Sequence, residues 1–187
     1  MFRRDRLKEE KIIYNPKVID SEAESKDVAS EGSTVGERGP IEDESMLRNL
    51  SVTYALAADA HDGRRFSSVF ADGGSLTVRS SSRPELVLTA ARGSDELAEI
   101  PAKLERAYER TFHFLGQYQY IVNGHGASGI TYCQAGHLSI AGDDVRSHHM
   151  YLRYEDRYRR RGEAWEILDR TVWIDWTETV AADPVRR

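Results

Sequence analysis

The segment that decides the fold runs from residue 111 to residue 140. It reads TFHFLGQYQYIV (111–122), the turn pair Asn123-Gly124, and ASGITYCQAGHLSI (127–140). An Asn-Gly pair between two runs rich in β-branched and aromatic residues signals a hairpin. The pattern repeats downstream. Ala141-Gly142-Asp143-Asp144 leads into VRSHHMYLRYEDRYRR (145–160), and Arg161-Gly162-Glu163 leads into AWEILDRTVWIDWTE (164–178). Four long strands joined by short turns predict an antiparallel meander. Residues two apart on a strand share a face. His113, Leu115, Gln117 and Gln119 therefore form one set, and Cys133, Ala135 and His137 another. A turn about Asn123-Gly124 opposes positions summing to about 247, which sets His113 across from Gln134.

Upstream of this sheet the periodicity is helical. Ile41–His61 reads as a helix, with Asp43, Glu44 and Ser45 at its start and Leu47, Leu50, Tyr54, Ala57 and Ala58 at helical spacing. Asp62-Gly63 stops it, and RRFSSVFA (64–71) suits a short second helix. Ser75–Arg79 and Leu86–Ala90 are short strand candidates. Gly93-Ser94 opens a third helix, DELAEIPAKLERAYER (95–110), capped by Ser94 or Asp95. Pro101 inside it predicts a kink or a break. Helices followed by a long antiparallel sheet make an α+β pattern. Three helices cannot cover both faces of four long strands. The sheet is therefore expected to curl around them and enclose a pocket, or to pair with another subunit.

The charge is uneven along the 187 residues. The chain carries a net −5, yet residues 1–45 hold 8 Lys/Arg against 12 Asp/Glu and the rest holds 18 against 19. Residues 1–40, poor in apolar side chains, are expected to form an arm. It is either flexible or packed on a neighbouring subunit through Phe2, Ile12, Ile13 and Tyr14. The folded domain is expected over 41–180, with 181–187 as a tail. The weak acidic balance argues against nucleic acid as a partner. A single cysteine excludes an internal disulfide framework. No apolar run approaches the roughly 20 residues of a membrane span, and the N-terminus has no secretory core. These features predict a cytoplasmic protein.

Six histidines and one acid carry the candidate chemistry. His113 and His137 lie within strands beside apolar neighbours, and Ala135 and Gly136 leave room for a ligand near His137. His148-His149 is an adjacent pair on opposite strand faces, expected at the surface. Asp59 sits in Ala55-Leu56-Ala57-Ala58-Asp59-Ala60, where a carboxylate faces solvent or is buried with a partner. No histidine or carboxylate spacing matches a zinc motif, so no metal and no cofactor is expected.

The order of these features resembles the nuclear-transport-factor-two-like cone-fold superfamily, in its SnoaL-like and scytalone-dehydratase-like branch. The carriers are Tyr54 to Asp59, Phe66-Ser-Ser-Val-Phe70-Ala-Asp72-Gly73, Gly93, Thr111-Phe-His113-Phe-Leu-Gly116, and Arg153-Tyr154-Glu-Asp156-Arg157-Tyr158 leading to Trp165-Glu-Ile-Leu-Asp-Arg170. The resemblance implies an acid/base pair of Asp59 and His113, a second histidine at His137, and Tyr54 five residues before the helix Asp. It implies a cofactor-independent lyase of dehydratase type acting on an aromatic or polycyclic small molecule. Alternatives within the fold are a polyketide cyclase or isomerase, or a non-catalytic protein similar to the small subunit of ring-hydroxylating dioxygenases. Expected substrate contacts are Phe70, Tyr132, Met150, Tyr154, Arg170 and Trp173, with Arg170 either a pocket cation or a structural ion-pair partner. The family also implies a homo-oligomer, a trimer before a dimer. Ala58 stands where the scytalone dehydratases place a tyrosine beside the helix Asp, so scytalone is not the expected substrate.

Overall fold

The structure, a computed structural model, describes residues 40–183. The expected arm falls almost wholly outside them. The chain is α+β: helices α1 (Pro40–Asp59) and α2 (Gly63–Ser67), strands β1 (Phe70–Ser80) and β2 (Arg83–Arg92), helix α3 (Gly93–Ala107), then strands β3 (Arg110–Asn123), β4 (Gly126–Ala141), β5 (Asp144–Arg161) and β6 (Ala164–Ala181). One curved, unclosed sheet takes the order β2-β1-β6-β5-β4-β3. The 111–178 meander forms as the turn signals predict. The two upstream strands are longer than their sequence pattern suggested, and they join the sheet by a parallel pairing of β1 with β6. Phe70, read as part of the second helix, already opens β1.

Helix α1 lies against the concave side of β3 and β6. Its buried positions, Asp43, Leu47, Ser51, Tyr54, Ala55, Ala57 and Ala58, fall at helical spacing and form one stripe that widens toward the C-terminal end. Asp43 is buried, accepts a hydrogen bond from Trp165 Nε1 at 2.9 Å and pairs with Arg160, which ties the helix start to the last two strands. The core continues through Phe66, Phe70, Leu76, Leu97, Cys133, Leu152, Tyr154, Ile167 and Val172.

Two local expectations need correction. Pro101 does not break α3, which runs unbroken from Gly93 to Ala107 with Pro101 fully buried. The helix forgoes one hydrogen bond there, and burial of the pyrrolidine ring in the core offsets that loss. The cap of α3 is Arg92 rather than Ser94 or Asp95. The Arg92 amide donates to Glu96 Oε2 at 2.9 Å.

Gly63 is required by contact rather than by conformation. A Cβ built there would lie 2.2 Å from the carbonyl oxygen of Ala98, which is backbone and cannot rotate away. Gly63→Ala should therefore push α2 from α3 and cost about 1–3 kcal/mol, read as a lower urea midpoint with unchanged slope.

Candidate active site

Helix α1 ends beside the first residues of β3. The amide of Asp62 donates to Ala57 O at 2.9 Å and that of His61 to Ala58 O at 3.2 Å, while His61 takes a left-handed φ of 55°. This paired arrangement is a Schellman turn. It reverses the chain just after Asp59 and leaves that carboxylate on the side facing β3.

Asp59 grips β3 at three points. Its Oδ1 is 2.7 Å from His113 Nδ1 and accepts from Thr111 Oγ1 at 3.0 Å. Its Oδ2 accepts from the His113 backbone amide at 3.0 Å. Burial by itself raises a carboxyl pKa. Here the His113 ring, its amide and the Thr111 hydroxyl outweigh that effect and hold Asp59 below its usual value. An ionised Asp59 fixes the proton of neutral His113 on Nδ1, so Nε2 keeps its lone pair. The His113 side chain is 9% exposed and that of Asp59 23%, so the pair is sheltered yet reachable.

The second histidine is closer than the expected register allowed. His113 pairs with Ala135, one residue from the expected Gln134, and His137 pairs with Thr111. That single step decides the face, because a one-residue slip moves every side chain to the other side. His113 and His137 thus share the concave side, diagonal to each other, with ring centroids 5.7 Å apart. An irregularity between Leu115 and Tyr118 then changes the phase of β3. Tyr120 and Val122 turn inward, and Gln117 and Gln119 do not continue the His113 face.

His137 is 3% exposed, and neither ring nitrogen has a hydrogen-bond partner. The Tyr108 ring packs on it at 4.4 Å. Burial, together with the neighbouring His113 and His148, pushes its pKa down to about 4. In the unfolded chain His137 protonates near 6.5, so between those values the unfolded state binds more protons. Stability should therefore fall as pH drops from about 6.5 to about 4, by at most roughly 3 kcal/mol. Asp59, with its depressed pKa, adds its own loss only lower, as acid titrates it. His137→Leu should abolish the first slope and leave the second. Urea midpoints measured at pH 7, 5 and 4 check this.

Deeper in the cone lies a fully buried ion pair. Arg170 donates from Nε to Asp156 Oδ1 at 2.8 Å and from Nη2 to Asp156 Oδ2 at 2.7 Å and Ser51 Oγ at 2.8 Å. Tyr158 also donates to Asp156, at 2.6 Å. The guanidinium lies over the rings of both Tyr54 and Tyr154, at 4.3 and 4.2 Å from their centroids, and those two rings meet each other edge to face at 5.4 Å. Burial disfavours its charge, and the Asp156 carboxylate outweighs burial and raises its pKa. Burial also pushes Tyr54 up to about 12, so its hydroxyl keeps its proton. One nitrogen, Arg170 Nη1, is buried without a partner.

The expected contact residues divide between the two sides of the sheet. Phe70, Tyr154 and Arg170 are buried inside, and Met150 packs against the same core. Tyr132 and Trp173 do not face the interior. Tyr132 follows Thr131 and precedes Cys133, both buried, and so points outward at 45% exposure. Trp173 follows buried Val172 and donates to Glu155 at 2.9 Å on the outer face. Aromatic character alone, which marked these residues as contacts, does not distinguish the sides. Three site neighbours were missed: Thr111, Tyr108 and His148. The pairing of His148 with His137 across β4–β5 was the available signal for the last. Its Nδ1 meets Thr179 Oγ1 at 2.9 Å and its Nε2 meets Ser139 Oγ at 3.1 Å. Among the described residues no group of three histidines, cysteines or acids is placed to hold a metal ion, and no helix is long and apolar enough to cross a membrane.

A family model described as SnoaL-like domain matches residues 40–171. The chain belongs to the SnoaL-like family. No curated protein sequence matches it. Solved structures do. The hexachlorocyclohexane dehydrochlorinase LinA-type3 of Novosphingobium barchaimii aligns at 14% identity and a TM-score of 0.66, covering 79% of this chain and 96% of that one. A candidate scytalone dehydratase of Novosphingobium aromaticivorans aligns at 15% and 0.62, covering 79% and 95%. The beta subunit of a candidate aromatic-ring-hydroxylating dioxygenase from the same organism aligns at 17% and 0.62, covering 73% and 91%. At such identities the likeness is one of fold, and it establishes the nuclear-transport-factor-two-like cone for this SnoaL-like chain.

Proposed function

We propose that this SnoaL-like protein is a cofactor-independent lyase of dehydratase type, acting in the cytoplasm on a small hydrophobic or aromatic molecule. The observation that carries this is the two-point hold of Asp59 on His113, through the ring at 2.7 Å and through the backbone amide at 3.0 Å. Such a hold fixes tautomer and ring orientation together, as a general base needs. The relatives named for dehydrochlorination and dehydration perform eliminations, which agrees with it.

In this reading His113 Nε2 removes a proton from the carbon next to a carbonyl of the substrate. The C–H electrons form an enolate. Re-formation of the carbonyl makes the carbon–carbon double bond and expels the hydroxyl at the neighbouring position. The proton held on His113 leaves with that hydroxyl as water, so the base returns to its starting state. Neutral His137 donates an N–H hydrogen bond to the enolate oxygen or to the departing group, which would give its unpartnered nitrogens a role. Arg170, with Nη1 unpartnered, and the protonated Tyr54 form the polar floor behind the reacting carbon. Phe70, Met150 and Tyr154 supply apolar wall. The protein works as a homo-oligomer, with a trimer ahead of a dimer.

The test is direct. Purified protein is incubated with a panel of cyclic β-hydroxy ketones, and with 5-nitrobenzisoxazole, whose ring opens when a base removes its C–H proton. Water loss or nitrophenolate release above the rate of Asp59→Asn protein supports the assignment. Equal rates for the two proteins on every compound overturn it.

A further inference from the structure

Both ring nitrogens of His137 are buried without a partner, although polar side chains stand around them. Register sets Thr111, His137, His148 and Thr179 in one row across the four long strands. Its neighbours in that row are engaged elsewhere. Thr111 Oγ1 donates to Asp59 Oδ1 at 3.0 Å. His148 meets Thr179 Oγ1 through Nδ1 at 2.9 Å and Ser139 Oγ through Nε2 at 3.1 Å, so it has no nitrogen left for His137. Buried polar atoms without partners are uncommon, because each has given up its hydration for nothing. Water would satisfy His137 if it could enter. The ring of Tyr108 stands in its way, packed on His137 at 4.4 Å and 6.2 Å from His148. An aromatic ring in that place occupies space that water would otherwise take.

Local structure holds the ring there. At Tyr108 helix α3 ends and the chain turns extended, with φ −138° and ψ 144°. Its own amide donates to Leu104 O at 2.9 Å, and the next amide, of Glu109, donates to Leu138 O at 2.8 Å. Leu138 adjoins His137, so Tyr108 is pinned beside the strand that carries the imidazole. We propose that Tyr108 is a positioning residue, whose ring keeps water from His137 and reserves that imidazole N–H for an oxygen of the substrate. The proposal rests on the lyase reading above and adds the residue that keeps its donor dry. The titratable groups facing His137 are His113 from β3, His148 from β5, Tyr108 from the end of α3 and Asp59 from α1. Burial, then His113 and His148, disfavour a charge on His137, and the Asp59 carboxylate favours one. Burial leads, so removing the ring weakens the largest cause and lets His137 protonate in mild acid. A wet His137 also spends its N–H on water. The bond it gives up is the one that strengthens as charge develops on the enolate oxygen, so the loss falls on kcat more than on KM.

Titration of the His137 ring by proton NMR on the full chain tests it, with the signal assigned by its loss in His137→Leu. In the wild type and in Tyr108→Phe the ring should stay unprotonated down to about pH 5, since its pKa is pushed down to about 4. In Tyr108→Ala the midpoint should rise by about one pH unit or more toward the ordinary 6.5. On whichever compound the wild type turns over, Tyr108→Ala should lose about tenfold or more in kcat with KM within about threefold, and Tyr108→Phe should keep the wild-type rate. A wild-type His137 that titrates near 6.5, or a midpoint unmoved by Tyr108→Ala, overturns the proposal. A raised midpoint with unchanged kcat overturns the part of Tyr108 in turnover. If no compound is turned over, the lyase reading falls, and the titration still decides whether Tyr108 guards His137. Tyr108→Val, which keeps part of the packing and uncovers the imidazole, takes the place of Tyr108→Ala if melting curves show that variant unfolded.

Discussion

His113→Ala lowers turnover by about 10²- to 10⁴-fold while the protein stays folded. General bases contribute rate enhancements of that size when the pKa and the geometry suit the proton they remove. Little of the fold depends on this imidazole. Its ring contacts are the Asp59 carboxylate and the edge of His137, and the backbone amide that also serves Asp59 survives the change. Asp59→Asn should cost less at first sight, since an amide still fills the space. It cannot accept the Nδ1 proton through its nitrogen, however, and it no longer stabilises the imidazolium that forms after proton transfer. Its loss in kcat should therefore approach that of His113→Ala, and the double variant should be little worse than either single, because groups that act as a unit are not additive. Steady-state rates on whichever compound the wild type turns over, with melting curves alongside, check the three variants. Additive losses would mean that the two residues do not act as one base.

Asp156→Ala is expected to remove a large part of the stability. Arg170 is fully buried and guanidinium cannot shed its proton, so deleting Asp156 leaves an uncompensated charge in the core. Breaking one partner of a buried pair costs about 3–5 kcal/mol, a large fraction of the roughly 5–15 kcal/mol by which domains are stable. Cation–π contacts with Tyr54 and Tyr154 soften the loss without replacing a carboxylate. Arg170→Met should also destabilise, because Asp156 keeps only the Tyr158 hydroxyl. The pair Arg170→Met/Asp156→Leu should recover much of the loss, since apolar groups of similar volume pack without the desolvation cost. Urea denaturation of the two singles and the double gives the coupling directly. A double variant no better than Asp156→Ala would show that the cost lies elsewhere than in the stranded charge.

Much of the sheet could be read from three turns. Asn123-Gly124, Gly142 and Gly162 sit where hairpins demand a left-handed residue, and all three glycines take positive φ. The dyad was legible because helix Asp and strand His stand in a fixed order, and Ala55, Ala57 and Ala58 bring that helix close to the sheet. What eluded pattern reading has particular causes. The His113–Gln119 face follows from an ideal two-residue repeat, while an irregularity between Leu115 and Tyr118 resets the count in β3. Tyr132 and Trp173 stand out by aromatic character alone, and plain alternation beside buried Cys133 and Val172 puts both outside. His148 joins the site through pairing across the sheet, and Tyr108, at the end of α3, through the packing of its ring on His137; no local window contains either contact. Arg170 was left between two readings because Ser51 and Asp156, its partners, lie 119 and 14 residues away.

The parallel pairing of β1 with β6 sets an order of events during synthesis. Ser75 meets Asp169 across 94 residues, so the first hairpin has no neighbour on its inner edge until the last strand is made. The ribosome adds about 5–20 residues per second, which leaves that edge open for several seconds. Contacts of this separation also slow folding once the chain is released. Meanwhile β2 presents Leu86, Val87 and Leu88 in succession, all still exposed in the finished fold. A nascent chain of this protein is therefore most open to edge-to-edge association before β6 arrives. Chaperone dependence should concentrate in that interval rather than in the formation of the β3–β6 meander.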